Sequence, residues 1–213
     1  GKERIGTRWV DVNKGDKFHK EYRSSLVVQE IKVNKSEDLF AATPLLEVKK
    51  LLLSFAVTEG IGYMRNNKSG GMRLDVIDIR RAYFHAKALR KLFIKLPKED
   101  FEAGMCGYLN KAMYGTRDAA QNWEYEYTDF MIGMGFERGM ASPCVFYNKA
   151  RGIRTLVHGD DYVSSGSTTQ LQWLKSGLER KFEIMTTMIG ADPNKEQEVR
   201  VLNRIIRYTA NGI

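Results

Sequence analysis

Cysteine is almost missing from this chain. Cys106 and Cys144 are the two in 213 residues, with no Cys-x-x-Cys and no histidine beside either. Neither a zinc site nor a disulfide framework is indicated, and a reducing, intracellular setting fits. Long apolar runs are missing too. The best, residues 51–57, is broken by Ser54 and preceded by Lys49 and Lys50, well short of the roughly 20 residues a membrane helix needs. No membrane partner is therefore expected. A signal-peptide pattern, an internal repeat and a low-complexity tract are all absent. The chain opens on Gly1-Lys2-Glu3-Arg4 and closes just after Asn211-Gly212, a favoured hairpin dipeptide, so it reads as cut from something longer. Acidic charge is in the minority: 34 Lys and Arg face 26 Asp and Glu, for a net charge of +8. That balance favours a polyanionic partner such as nucleic acid, although a merely solvated basic surface gives the same number. The length allows one large domain or two small ones.

What is present centres on carboxylates. Val157-His158-Gly159-Asp160-Asp161-Tyr162-Val163 sets an Asp pair between two apolar stretches, and a third carboxylate, Asp78, stands upstream in Val76-Ile77-Asp78-Ile79-Arg80-Arg81-Ala82-Tyr83-Phe84. Adjacent acids repel each other and lose solvation when fenced by Val and Tyr, which points to a cation that offsets their charge. Hard divalent ions such as Mg²⁺ take oxygen ligands, and a pair of them stabilises both oxygens of an in-line phosphoryl displacement. Gly-Asp-Asp is equally good turn chemistry. The second strand ending in Asp78 tips the balance toward phosphoryl or nucleotidyl transfer.

Periodicity places these motifs on elements. Thr43-Pro44 reads as a helix entry, cap followed by N1 proline, with Leu45, Val48, Leu52 and Phe55 at helical spacing until Gly60 and Gly62. Residues 66–71 read as a loop, after which Leu74, Val76 and Asp78 alternate on one strand face. Ala120, Trp123, Tyr127, Phe130 and Met134 share a helical face, so Trp123 is packing rather than a base platform. Residues 144–147, 153–157 and 162–164 read as strands, with the Asp pair on a tight turn. Ser167 and Gln170 form a capping-box pattern before a helix bearing Leu171, Leu174, Leu178 and Phe182. Its Lys175, Arg180 and Lys181 read as a solvated face. Residues 199–208 fit helix or strand.

Taken in order, these blocks resemble the reverse transcriptases of copia-type retrotransposons. The resemblance runs over residues 9–212: Tyr22 to Val27, Asp38-Leu39-Phe40-Ala41-Ala42-Thr43-Pro44, Leu51-Leu52-Leu53, the Asp78 block, Phe93-Ile94-Lys95-Leu96-Pro97, Leu109-Asn110-Lys111-Ala112-Met113-Tyr114-Gly115, Gln121-Asn122-Trp123, Gly135-Phe136, Ser142-Pro143-Cys144-Val145-Phe146 and Asp160-Asp161. Each block is weak alone, but the order is specific.

The resemblance implies an α+β fold in right-hand polymerase form without a thumb: a palm, with a mixed or antiparallel sheet and helices on one face, and a small fingers region. Residues 1–213 would be a single fragment, fingers at about 8–70 and 90–115, palm at about 71–89 and 116–213. It implies an RNA-directed DNA polymerase whose Asp78, Asp160 and Asp161 are catalytic. Those carboxylates and the Ile79 carbonyl would hold two Mg²⁺ ions, with Mn²⁺ as a substitute. Arg23 or the nearby Lys20, together with Arg81, Ala82, Tyr83, Tyr114 and Gly115, would meet the incoming deoxynucleotide, Tyr83 as the ring that excludes a ribose 2′-hydroxyl. His158 and Gly159 would lie at the primer end, His158 as a packing residue first, or else a primer-phosphate contact or a mark of decay, and residues 199–208 would be a strand opening a primer-gripping hairpin. Implied partners are an RNA or DNA template-primer, deoxynucleoside triphosphates and the remaining polyprotein, with integrase upstream and RNase H downstream.

Three positions depart from the family pattern. His158 replaces a tyrosine, Gly159 replaces a small apolar residue, and the fingers arginine falls at Ser25, which cannot grip phosphate with a bidentate fork. Two other readings follow: a catalytically inactive remnant that keeps the fold and binds nucleic acid, and, more distantly, a palm-like nucleotidyl cyclase. The ordered blocks of the fingers region argue against the cyclase.

Overall fold

The computed structural model describes residues 4–31, 39, 41–62, 71–190, 196–201, 204–209 and 213. In chain order the elements are β1 (Thr7–Asn13), β2 (Tyr22–Val28), α1 (Leu46–Val57), β3 (Arg73–Ile79), β4 (Phe93–Ile94), β5 (Gly107–Tyr108) and α2 (Ala119–Gly133). There follow β6 (Glu137–Arg138), β7 (Val145–Asn148), β8 (Ile153–His158), β9 (Asp161–Gly166), α3 (Thr168–Glu179), β10 (Ile184–Ile189), β11 (Glu198–Val201) and β12 (Arg204–Arg207). The chain divides into two compact units, residues 1–41 with 83–126 and residues 42–82 with 127–213, so that α2 runs from one into the other. The class is α+β.

The second unit is built on a six-stranded sheet in the order β10-β3-β9-β8-β7-β6, every pairing antiparallel. Its central strands are apolar on both faces: Leu74, Ile77, Ile79, Leu156 and Val157 are each at most 2 % exposed. A sheet covered on both sides requires that pattern. Leu52 and Ala56 of α1 pack with Leu74, Val76, Leu156 and Val163 on one face. On the other face, Tyr127 of α2 meets Phe146 and Tyr162 edge-on, and Leu171 of α3 lies over Gly166. The expectation of helices on one face is therefore corrected. Periodicity tells which side of α1 is apolar but not which face of a two-sided apolar sheet receives it. Leu171, Leu174 and Leu178 are fully buried, each stabilising by about 1.5–3 kcal/mol.

Two helix starts also differ from expectation. α1 begins at Leu46, with Leu45 as an N-cap that makes no side-chain bond, so Thr43 and Pro44 lie outside it. Ser167 does precede α3 but makes no side-chain cap. Gln170 instead accepts a hydrogen bond from Arg151 at 2.9 Å, which spends the side chain that a capping box needs. Within 199–208, residues 199–201 and 204–207 are strand, β11 pairing antiparallel with β12, Glu198 opposite Arg207 and Val201 opposite Arg204. The expected loop at 66–71 lies outside the described residues up to residue 70, as do Asp38, Phe40, Asn211 and Gly212.

The first unit pairs β1 with β2, from Thr7 opposite Val28 to Asn13 opposite Tyr22, and β4 with β5. The Ile5 N–H donates to the Phe93 carbonyl and the Lys95 N–H to the Ile5 carbonyl. Val28, Ile94 and Met113 form the small core, with Ile5, Leu26 and Leu109 against it.

Candidate active site

In the sheet unit, register brings the carboxylates together. β3 and β9 place Asp78 directly opposite Asp161, and β8 and β9 place His158 opposite Asp161 as well. Gly159 and Asp160 form the turn between β8 and β9, and the Ile79 N–H donates to the Asp160 carbonyl at 2.9 Å. Gly159 has φ +64°, a left-handed conformation that glycine takes without steric cost. Glycine thus suits the tight turn between β8 and β9.

The electrostatics at Asp161 are dominated by burial and by the neighbouring acids. Burial pushes the Asp161 carboxyl up to about 6, the charges of Asp160 and Asp78 push the same way, and Lys49 on α1 opposes them. His158 is held below its ordinary value by burial and by Lys49, against the pull of Asp160, and its Nδ1 is buried without a hydrogen bond. Among the described residues, no three His, Cys, Asp or Glu side chains gather closely enough to enclose an ion. The register pair and its turn neighbour nevertheless offer carboxylate oxygens as donors, and at Asp161 a proton is bound more tightly than usual, which fits a hard cation.

β3 leaves the sheet through a turn at Arg80 and Arg81, which leads into a 3₁₀ turn at Ala82–His85. Arg81 is the non-glycine residue with positive φ, +55°, among those described. Glu183, just before β10, takes both arginines: Arg80 Nη1 donates to its Oε1 at 2.8 Å and Arg81 Nη2 to its Oε2 at 2.5 Å. Those bonds hold the Glu183 carboxyl below its usual range. The Arg80 N–H also donates to the Glu183 carbonyl at 2.8 Å. Ala82 is buried. A cavity of about 280 Å³ lies elsewhere in this unit, floored by Leu52, Leu53, Leu156 and Val163 and edged by Lys49 and Arg204. It contains none of the three carboxylates.

The remaining expected residues belong to the first unit. Tyr83 is half-buried, not a core residue, and its ring lies 4.5 Å from that of Tyr114, with Phe84 meeting Tyr114 edge-on at 5.6 Å. Gly115 has φ +89°, and a Cβ there would fall 1.8 Å from the Val28 carbonyl oxygen; only glycine allows the close approach. Val28 N–H donates to the Tyr114 carbonyl at 2.8 Å and Glu30 N–H to that of Gly115 at 3.3 Å. Arg23 and Lys20 are exposed, Arg23 on β2 opposite Val12, and Ser25 pairs with Val10.

A cluster that sequence reading missed stands beside this turn. Arg90 spans both oxygens of Glu30 at 2.8 Å each and reaches Asp118 at 2.7 Å. The Arg117 N–H donates to Glu30, and Asn122 donates to Asp118. Burial alone would raise both acids, but the Arg90 hydrogen bonds bring Glu30 and Asp118 below their usual range. Its members come from three separate stretches of chain, so no local pattern announces it. Glu183 and Lys49 were missed for the same reason.

Comparison with known proteins gives the family. Residues 1–191 match the family described as reverse transcriptase (RNA-dependent DNA polymerase). A retrovirus-related Pol polyprotein from transposon TNT 1-94 of Nicotiana tabacum is 24 % identical over 197 residues, which cover 86 % of this chain and 14 % of that protein. The chain thus spans about a seventh of the length of that relative. With nearly nine-tenths of its length matched, the chain belongs to the reverse transcriptase family, in its copia-type branch.

Proposed function

We propose that this chain is the RNA-directed DNA polymerase module of a retrotransposon polyprotein, adding deoxynucleotides to a primer 3′ hydroxyl. The carrying observation is the register that sets Asp78 opposite Asp161, with Asp160 in the adjoining turn. In this reading Asp78, Asp160, Asp161 and the Ile79 carbonyl hold two Mg²⁺ ions, or Mn²⁺ in their place. Divalent cations bound there supply the charge that lowers the pKa of the hydroxyl and neutralises the α-phosphate. The sheet unit acts as palm and the other as fingers. Backbone N–H groups at Arg81 and Ala82 receive the triphosphate, Arg23 replaces the cation missing at Ser25, and Tyr83 lies under the sugar against the Tyr114 ring. His158 and Gly159 face the primer end. The partners are a template-primer, deoxynucleoside triphosphates and neighbouring polyprotein segments.

Primer extension on poly(rA) with Mg²⁺ or Mn²⁺, by this chain and by a version extended with its downstream segments, tests the reading. Metal-dependent incorporation by either is expected. Template binding without incorporation by both would support the inactive remnant instead. Tyr83→Val tests the pocket: selection against ribonucleotides should fall sharply while metal dependence persists. An unchanged ratio of the two nucleotide types would discard the gate.

A further inference from the structure

A strained backbone needs something to hold it. Arg81 carries a Cβ yet sits at φ +55°, a conformation that L-residues other than Gly, Asn and Asp disfavour by roughly tenfold. It does so at the exit of the strand that bears Asp78. Nothing in the local sequence favours it, since Arg80-Arg81-Ala82 contains no residue that adopts left-handed geometry readily. The compensating contacts come from across the sheet. Glu183 is adjacent because β10 pairs with β3, Ile184 lying opposite Ile79. Its two carboxylate oxygens are divided between Arg80 and Arg81, and its carbonyl accepts the Arg80 N–H. An isolated surface ion pair contributes little, but a carboxylate shared by two cations and tied by the backbone as well has the network geometry in which such pairs matter.

We infer that Glu183 is a positioning residue: by holding Arg80 and Arg81 it fixes the left-handed turn whose N–H groups receive the nucleotide triphosphate. This rests on the polymerase reading above. Successive backbone N–H groups in a turn containing a left-handed residue make a concave anion site, and its shape is lost if Arg81 relaxes to negative φ. Glu183 thus acts on the nucleotide without touching it. It also keeps the Arg81 guanidinium occupied, so on this inference that side chain is not the phosphate ligand.

The test uses the 213-residue chain with Mg²⁺–tripolyphosphate as the probe, following the backbone amide resonances of Arg81 and Ala82. The same proteins are assayed for single-nucleotide insertion. Wild type should show saturable shifts at both amides. Glu183→Ala should weaken that affinity, and raise the nucleotide KM, by about tenfold, with kcat and template-primer affinity changed less than about twofold. Glu183→Gln, which keeps an acceptor for one arginine, should fall between. The decisive protein is Glu183→Ala combined with Arg81→Gly, because glycine occupies positive φ without a clamp; it should regain affinity to within about threefold of wild type.

Failure of that recovery would overturn the inference. So would a tighter nucleotide KM in Glu183→Ala, which would make the freed Arg81 side chain the phosphate ligand. Resonance changes spread through the whole sheet in Glu183→Ala would also overturn it, by making Glu183 a residue of general stability. If wild type neither shifts at Arg81 and Ala82 nor extends a primer, the triphosphate site is at fault, and the polymerase reading falls rather than the clamp alone.

Discussion

Two acidic clusters in this chain show opposite solutions to the same electrostatic problem. In one, Glu30 and Asp118 close on Arg90, whose fork meets both, and both carboxyls are held below their usual range. In the other, Asp78 and Asp161 lie opposite each other with Asp160 in the adjoining turn, and burial and the neighbouring acids push Asp161 up to about 6. Where the fold provides the cation, the cluster is architecture: it ties the end of β2 to the start of α2 and to the turn at Gly115. At the second cluster we propose that the offsetting cation comes from solution. A partly buried set of acids is costly to maintain for packing alone, which supports the metal-binding role proposed for the second cluster.

The largest effect should come from removing a charge from the cluster of Asp78, Asp160 and Asp161. Asp160→Asn is expected to reduce metal-dependent extension by at least about a hundredfold, the scale of losing one preorganised electrostatic group. It should leave template binding and the melting temperature unchanged or slightly raised, because a like charge beside Asp161 has gone. Parallel extension assays and melts check both halves. An Asp160→Asn protein that still extends with metal would erase the distinction drawn between the two clusters.

The opposite pattern is expected at the closed cluster. Arg90→Ala leaves Glu30 and Asp118, whose side chains are 12 % and 5 % exposed, without their cation. Breaking such a pair costs about 3 kcal/mol, measurable by denaturant unfolding at neutral pH. Part of that loss should return at acid pH, where the stranded carboxyls are protonated; for these groups, whose folded pKa values are depressed in wild type, the stabilisation lost on acidification belongs to wild type alone. A melt for Arg90→Ala equal to wild type at pH 7 would show that the fork is ornamental.

The difference between these clusters also explains what could be read from the chain. Asp78 and Asp160-Asp161 were legible because strand alternation and turn chemistry act over a few residues: Leu74, Val76 and Asp78 share a face, and Gly159 marks the hairpin. The Leu171, Leu174 and Leu178 stripe was legible for the same reason. Arg90 was not, since its role exists only once residues 30 and 118 arrive beside it. Glu183 depends on the β3–β10 pairing, and the side of the sheet that α1 covers depends on tertiary packing. Thr43-Pro44 misled because capping chemistry marks where a helix can start, whereas α1 starts at Leu46.

The smallest effect sharpens the comparison within a single strand. Asp75 lies three residues before Asp78 on β3 but on the opposite face, fully buried, with neither oxygen hydrogen-bonded among the described contacts. Burial pushes its carboxyl up to about 7, and the charge of Lys175 opposes that rise. A folded-state pKa raised from 3.8 to about 7 means that folding takes up a proton between those values, so stability falls as pH rises through that window and is unaffected below it. Three units at 1.36 kcal/mol each set a ceiling of about 4 kcal/mol, and relaxation of the site should leave about 2. Asp75→Asn, which imitates the protonated acid, should therefore match wild type near pH 4 and exceed it by that amount at pH 8. Asp161 loses stability in the lower part of the same window, from 3.8 to about 6, but a cation bound to its cluster would remove that contribution. Unfolding curves from pH 4 to 8, with and without Mg²⁺, separate the two faces of the sheet: the Asp75→Asn gain should be indifferent to Mg²⁺, whereas wild type should become more stable with it above pH 5. A gain at residue 75 that vanished with Mg²⁺ would show that both carboxylates of β3 answer to the same ion.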